Sequence, residues 1–214
     1  MEGVHDMGGM HGFGAVPVDD VELPFDEPWE GRTFGLFIAA GAAGARSGSI
    51  RPGIEAIAPA EYLAMGYFER WARSLEAGLV DAGTLTTADI DARVRHPQPP
   101  SRHARDTNPK MAAGLVAALI DHPRRPSGED VPARFAIGDR VTVKRMAPVG
   151  HHRCPRYVRG VSGTVIRQPG GWPHASGDGP PEATYTVRFE MGDLWGADAE
   201  PGFLHLDLWE RYLA

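Results

Sequence analysis

The chain has a single cysteine, Cys154, in 214 residues. That excludes an internal disulfide and a multi-cysteine metal site. Lysine occurs only at Lys110 and Lys144, so the cations are almost all arginine. Surfaces that track a phosphate backbone commonly use both cations. Arginine alone suits planar, bidentate recognition of a fixed anion. No apolar run reaches the ~18 residues of a transmembrane helix. No basic stretch followed by an apolar one opens the sequence, so no signal peptide is expected and the cytoplasm is the expected location. The formal net charge of −6 argues against a general polyanion binder. The nine histidines show no HExxH or comparable ligand spacing. His151 and His152 are adjacent, and strand neighbours point to opposite faces. No metal site is expected within this chain.

What is abundant is glycine (27) and proline (19), which predict long irregular connections. Hydrophobic residues make up 42%, enough for a core. Residues 1–14 hold five glycines and two histidines and read as a tail, or as an arm that orders against a partner. Residues 15–28 continue as extended chain. A helix is expected over 29–46, ended by Gly48. Arg51 precedes Pro52, which disfavours the helical region for it, so Arg51 is expected extended before a short helix to Ile57. One long helix is expected over 59–83, with Tyr62, Met65, Phe68, Trp71, Ala72, Leu75 and Leu79 at helical spacing. Thr86 or Thr87 caps a short helix through Val94.

Residues 95–110 and 121–132 read as linkers around an apolar helix, 111–120, that must dock elsewhere. Strands are expected at 135–145, 160–168, 184–190 and 203–208, and their spacing suggests an SH3-like barrel. The apolar ending Leu206–Leu213 implies a docked terminus. The fold class is therefore α+β: an α-helical N-terminal half with an extended arm, and a C-terminal SH3-like β-barrel. Its parts are an arm (1–28), a helical domain (29–94), a linker with a short helix (95–132) and the barrel (133–214).

Between the first two strands lies Gly150-His151-His152-Arg153-Cys154-Pro155-Arg156-Tyr157-Val158-Arg159-Gly160, with three arginines in eleven residues. A frame carrying several guanidinium forks can grip a fixed anion; a solvated basic loop is the plainer reading. Cys154 among cations could be reactive, although an incidental small residue is the better account. A nucleic-acid surface would use Arg140, Lys144, Arg145, Arg153, Arg156, Arg159 and Arg167, with Tyr157 and Trp172 as stacking rings.

Several motifs stand out together: the opening Met-x-Gly-Val-His-Asp-x-Gly-Gly-Met-x-Gly-Phe-Gly, Pro59-Ala60-Glu61-Tyr62-Leu63 with Tyr67-Phe68-Glu69-Arg70-Trp71, and Gly150-His151-His152-Arg153 with Arg156-Tyr157-Val158-Arg159-Gly160. Tyr185-Thr186-Val187-Arg188-Phe189, Leu194-Trp195-Gly196 and Asp207–Leu213 complete the set. In this order, and over nearly the whole chain, they resemble nitrile hydratase β subunits. Related thiocyanate hydrolases divide this architecture between two shorter chains, so both halves on one chain favour nitrile hydratase.

The resemblance implies an αβ heterodimer, often doubled to α2β2, that hydrates a nitrile to an amide. It implies a low-spin Fe(III) or Co(III) ion in the partner α subunit, bound by cysteines of which two are oxidised, and no cofactor in this chain. Two arginines of the β subunit hydrogen-bond the oxidised sulfur oxygens; by motif these are Arg51 and Arg153. The substrate pocket corresponds to Phe37, Ile50, Tyr67 and Trp71. The partners implied are the α subunit and a small nitrile, with no nucleic acid and no membrane. Two positions depart from the family pattern. Arg51 leads into a proline, with Arg46 as a nearby substitute, and Tyr67-Phe68 follows Gly66 where Tyr-Tyr after proline is common. The rival reading is a stand-alone SH3-like module that binds nucleic acid or peptide through Arg153, Arg156 and Arg159.

Overall fold

A computed structural model describes residues 3–16, 18, 24–97, 109–120, 128–177 and 179–214. The N-terminal half is helical: α1 (Pro28–Ala42), α2 (Ile50–Glu55), α3 (Pro59–Ala64), α4 (Tyr67–Asp81) and α5 (Thr87–Arg95). Proline occupies the first turn of α1 and α3, where its missing N–H costs no hydrogen bond. Glu30 accepts from the backbone N–H groups of Asp26 (2.7 Å) and Glu27 (3.2 Å), which closes the start of α1. Thr86 and Asp89 exchange side-chain bonds at the start of α5.

The long helix expected over 59–83 is in fact two. The apolar period runs straight through the junction, but the backbone breaks at Met65 (ψ 141°) and Gly66 (ψ 174°). Glu69 accepts from Gly66 N–H at 2.6 Å and starts α4. Arg70 donates to the carbonyls of Tyr62 (3.1 Å) and Met65 (2.8 Å), satisfying the end of α3. Helix α1 also ends earlier than expected, at Ala42, with Gly44 at φ 66°. Arg51 is helical rather than extended: α2 starts at Ile50 and carries Pro52 in its first turn. There the proline removes no intrahelical bond, and that outweighs the bias on the residue before it.

Helices α1 and α2 both pack on α4. An aromatic layer joins α1 to α4: Phe37 meets Trp71 edge-to-face at 5.2 Å, and Phe34 lies 5.7 Å from Trp71. On the other side of α4 the contact is between small residues. Ser74 Oγ donates to Ile50 O at 3.1 Å, and Ser47 N–H donates to Gly78 O at 2.9 Å. A Cβ on Gly53 would overlap the Ser74 hydroxyl.

Residues 3–10 form two successive turns, with Asp6 N–H on Gly3 O and Met10 N–H on Met7 O, rather than a continuously extended arm. Helix α6 (Pro109–Ile120) has no buried residue and exposes Met111, Val116, Leu119 and Ile120. Most of both expected linkers lies outside the described residues. No helix among the described residues is long and apolar enough to cross a membrane.

The C-terminal half is a four-stranded antiparallel sheet in the order β1 (Arg140–Thr142), β2 (Ser162–Trp172), β3 (Glu182–Glu190), β4 (Phe203–Trp209). A short helix, α7 (Met191–Trp195), links β3 to β4. Strand β1 is shorter than the expected 135–145, because Ala136–Asp139 form a turn with Gly138 at φ 98°. Strand β2 carries two register shifts, after Val165 and after Arg167, which bend it. The sheet curls into a half-barrel. Thr142 and Ala214 exchange two backbone hydrogen bonds of 2.9 Å, and Val143 bridges Leu213. The core gathers Val141, Val143, Cys154, Val158, Val165, Tyr185, Val187, Phe189, Leu208 and Leu213. Strand β3 lies between two neighbours and is buried along almost its whole length.

Gly53→Ala is expected to destabilise the chain by about 1–3 kcal/mol, the usual range for overpacking a tight contact. Denaturant melts of the two proteins check this.

Candidate functional site

The cationic loop is the β1–β2 connection. Its base is tied by Val143 N–H to Val161 O (3.0 Å) and Gly160 N–H to Val143 O (2.7 Å). Within it, His152, Cys154 and Val158 are buried. Arg153, between two of them, is exposed. Its backbone N–H reaches the hydroxyl of Tyr212 at 3.4 Å. The Arg159 guanidinium donates to Met146 O (2.7 Å) and Cys154 O (2.9 Å), bracing the loop from inside. Arg156 is held by Asp6: its backbone N–H donates to Asp6 Oδ2 at 2.9 Å, and its guanidinium donates to Asp6 O at 3.1 Å. The Arg153 guanidinium makes no hydrogen bond or ion pair with any described residue.

Helix α2 comes to the same place. Glu55 accepts from His151 Nδ1 at 2.7 Å, which fixes the proton on that nitrogen, since the carboxylate can only accept. Arg51 stands one turn before Glu55, and Arg153 two residues after His151, so this bond joins the two segments that carry them. The Arg51 side chain is exposed and likewise bonds to no described residue. Arg46, the nearby alternative, is engaged within its own half. Its guanidinium donates to the carbonyls of Phe37 and Gly48 and lies 3.7 Å over the Phe37 ring.

Beside Arg51 is a cavity of about 280 Å³ lined by His5, Ile50, Arg51, Ile54, Glu55, Tyr62, Tyr67, Arg70 and Trp71. Four of the six residues singled out by sequence meet there: Ile50, Arg51, Tyr67 and Trp71. Phe37 is not in the lining; it is buried behind Trp71 and supports that wall. Arg153 lies on the adjoining loop. Sequence reasoning missed Asp6, Glu55, Tyr62 and Arg70. The Gly-Val-His-Asp opening was the one available signal for Asp6; nothing local marks Glu55.

Two features of the basic loop count against the rival readings. Tyr157 is covered by Gly8 and packs at 5.3 Å against the tilted ring of Trp195, so it does not offer an open face to a base. Cys154 is fully buried, and burial pushes its thiol up to about 11 despite the nearby Arg159. Among the described residues no group of three His, Cys, Asp or Glu could hold a metal ion.

His5 is lowered by burial, against the opposing pull of Glu55 and Asp6, while His151 lowers it further. Its Nε2 is buried without a hydrogen-bond partner, 3.9 Å from Glu55 Oε2.

Two outcomes follow from these environments. At pH 8 the native protein should react slowly with an aromatic disulfide reagent and fully once denatured, because the thiol is buried and protonated. A histidine lowered on folding contributes stability above its unfolded value of about 6.5, and loses it as pH falls through the folded value. Hydrogen exchange in residues 3–10 should therefore accelerate on acidification below that point, relative to β3, as mass spectrometry would record.

The chain is similar to known proteins along its whole length. The family model described as nitrile hydratase beta subunit, N-terminal, matches residues 1–115, and the one described as nitrile hydratase beta subunit, C-terminal, matches residues 123–214. The low-molecular weight cobalt-containing nitrile hydratase subunit beta of Rhodococcus rhodochrous is 35% identical, over 100% of this chain and 99% of that protein. The cobalt-containing nitrile hydratase subunit beta of Pseudonocardia thermophila is 33% identical, over 100% of this chain and 96% of that protein. Thiocyanate hydrolase subunit alpha of Thiobacillus thioparus is 30% identical but covers only 49% of this chain and 85% of its own length. Two matching halves in one chain and full-length relatives place it plainly: the chain belongs to the nitrile hydratase β-subunit family.

Proposed function

We propose that the chain is the β subunit of a nitrile hydratase, hydrating a nitrile to its amide at an Fe(III) or Co(III) site held by a partner α subunit, as an αβ or α2β2 assembly. In this reading the sheet half is an SH3-like barrel that carries the cationic loop. The observation that carries the proposal is the pair of guanidiniums, Arg51 and Arg153, that bond to no described residue, on two segments joined by the Glu55–His151 bond beside an aromatic cavity.

The described residues of this chain do not fit a metal ion: no three of their His, Cys, Asp or Glu side chains come together, and burial keeps the lone thiol protonated. They do fit the oxygen shell of an ion held elsewhere. Oxidised cysteine oxygens are fixed anions, and a buried anion needs charge-assisted donors. Two arginine forks on braced segments supply them and orient the ligand atoms to which they bond. When bound in the partner, the ion supplies a Lewis acid to the hydration. Ile50, Tyr67 and Trp71 give the organic part of the nitrile an apolar wall, and Phe37 backs Trp71. Exclusion of bulk water at that wall strengthens every interaction of the guanidiniums.

Arg153→Lys keeps the charge and loses the planar fork. Losing one partner of a buried charged hydrogen bond costs roughly 2–5 kcal/mol. Spent on the transition state, that is a rate loss of about thirtyfold or more. Arg156→Lys and Arg159→Lys should cost less, because those side chains brace the loop from within. Nitrile hydration by the assembled, metal-loaded complexes, with assembly checked by gel filtration, decides the matter. Near-normal activity of Arg153→Lys would remove Arg153 from the site.

A further inference from the structure

The Gly-Val-His-Asp-x-Gly-Gly opening has a physical use that its glycine content conceals. Asp6 is only 3% exposed although it is charged. Its carboxylate accepts from Arg156 N–H at 2.9 Å and stands 3.4 Å from Arg156 Nε, while its own carbonyl accepts from Arg156 Nη2 at 3.1 Å. One residue earlier, His5 sits beside α2 and α3, with Nε2 3.9 Å from Glu55 and its ring edge-to-face with Tyr62 at 6.3 Å. Two residues later, Gly8 lies flat on the Tyr157 ring, where a Cβ would come within 2.5 Å. Gly9, at φ 73°, leaves no room for a Cβ against Trp195 of α7. Four of the five positions from His5 to Gly9 thus touch α2, α3, the cationic loop and α7.

We infer that residues 5–9 are a strap, with Asp6 as a positioning residue that fixes the cationic loop relative to α2 and so sets where Arg153 stands beside Arg51. The inference rests on the role assigned to Arg153 above. A loop that must hold one guanidinium outward needs its backbone fixed by something other than that guanidinium. Arg159 braces the inside of the loop, and the Glu55–His151 bond fixes its start. Asp6 fixes the other side of Arg153, three residues on, through both the backbone and the side chain of Arg156. The burial of a carboxylate at this point is compensated by those donors. The two glycines are what let the strap lie close enough to deliver it.

The test uses the complete complex with its α subunit. Asp6→Ala removes the acceptor; Asp6→Asn keeps an oxygen for Arg156 N–H and loses the charge. In Asp6→Ala, hydrogen exchange over residues 150–160 should accelerate and kcat should fall by about tenfold or more, the worth of a charge-assisted hydrogen bond. KM for a small nitrile should change by less than about twofold, because the cavity wall is untouched. Asp6→Asn should lie between Ala and the parent on both readouts. In an Arg153→Lys background Asp6→Ala should add less than about twofold, since a residue acting through Arg153 has nothing further to lose.

Unchanged loop protection in Asp6→Ala, or a kcat loss that multiplies in full in the Arg153→Lys background, overturns the strap. If Asp6→Ala does not assemble, the same readouts on Asp6→Asn decide it, and unchanged protection there overturns it equally. Inactivity of the parent complex on nitriles would sink the proposed function instead, and loop exchange would still report on the strap.

Discussion

A guanidinium can be held outward without a partner only if the backbone beneath it is fixed by other bonds. That constraint organises the sheet half of this chain. His152 and Cys154 are buried on either side of Arg153, and Val158 enters the core a few residues on. The backbone at the base of the loop is paired. Arg159 turns inward to carbonyls, and Arg156 turns toward Asp6. Three arginines within seven residues therefore differ in what they meet: Arg159 two carbonyls, Arg156 the buried Asp6, and Arg153, exposed, no described residue. A loop of solvated arginines would show none of this division. Such a loop would also gain little from arginine in place of lysine, whereas a fork aimed at fixed oxygens gains much.

The helical half meets the same constraint with small residues. The cavity needs α2 to lie close on α4, so that Ile50 and Arg51 face Tyr67 and Trp71 across a short gap. Gly53 against Ser74 and Ser47 against Gly78 allow that approach. The aromatic layer of Phe34, Phe37 and Trp71 fills the opposite side and keeps the gap from collapsing. Arg70 caps α3 and also lines the cavity, so the break between α3 and α4 is part of how the cavity is built. Glu55 then ties this half to the loop.

Much of the framework was legible in local chemistry. Prolines at helix starts, Thr86 with Asp89, and apolar alternation in β3 and β4 each mark their element. The break at Met65–Gly66 was not legible, because the apolar spacing continues through it and the deciding groups are side chains of the following helix. Helical Arg51 was missed for a similar reason: the local bias of Pro52 opposes it, and packing of α2 on α4 prevails. The small-residue face of α4, Ser74 and Gly78, was hidden because the apolar pattern counts only large side chains. The site residues were reached by motif resemblance rather than by physics. Asp6 and Glu55 act across 150 and 96 positions of sequence, a separation that no local pattern encodes.

The central claim is that this chain completes, and does not itself contain, a nitrile-hydrating centre. The most direct measurement compares nitrile hydration by the chain purified alone with that of the chain co-purified with its co-expressed α subunit, metal content being determined in both. The account predicts a stable complex that carries iron or cobalt and turns nitrile into amide, and a metal-free, inactive chain on its own. Stoichiometric metal and nitrile hydration in the isolated chain, or a chain that ignores the α subunit, would contradict it.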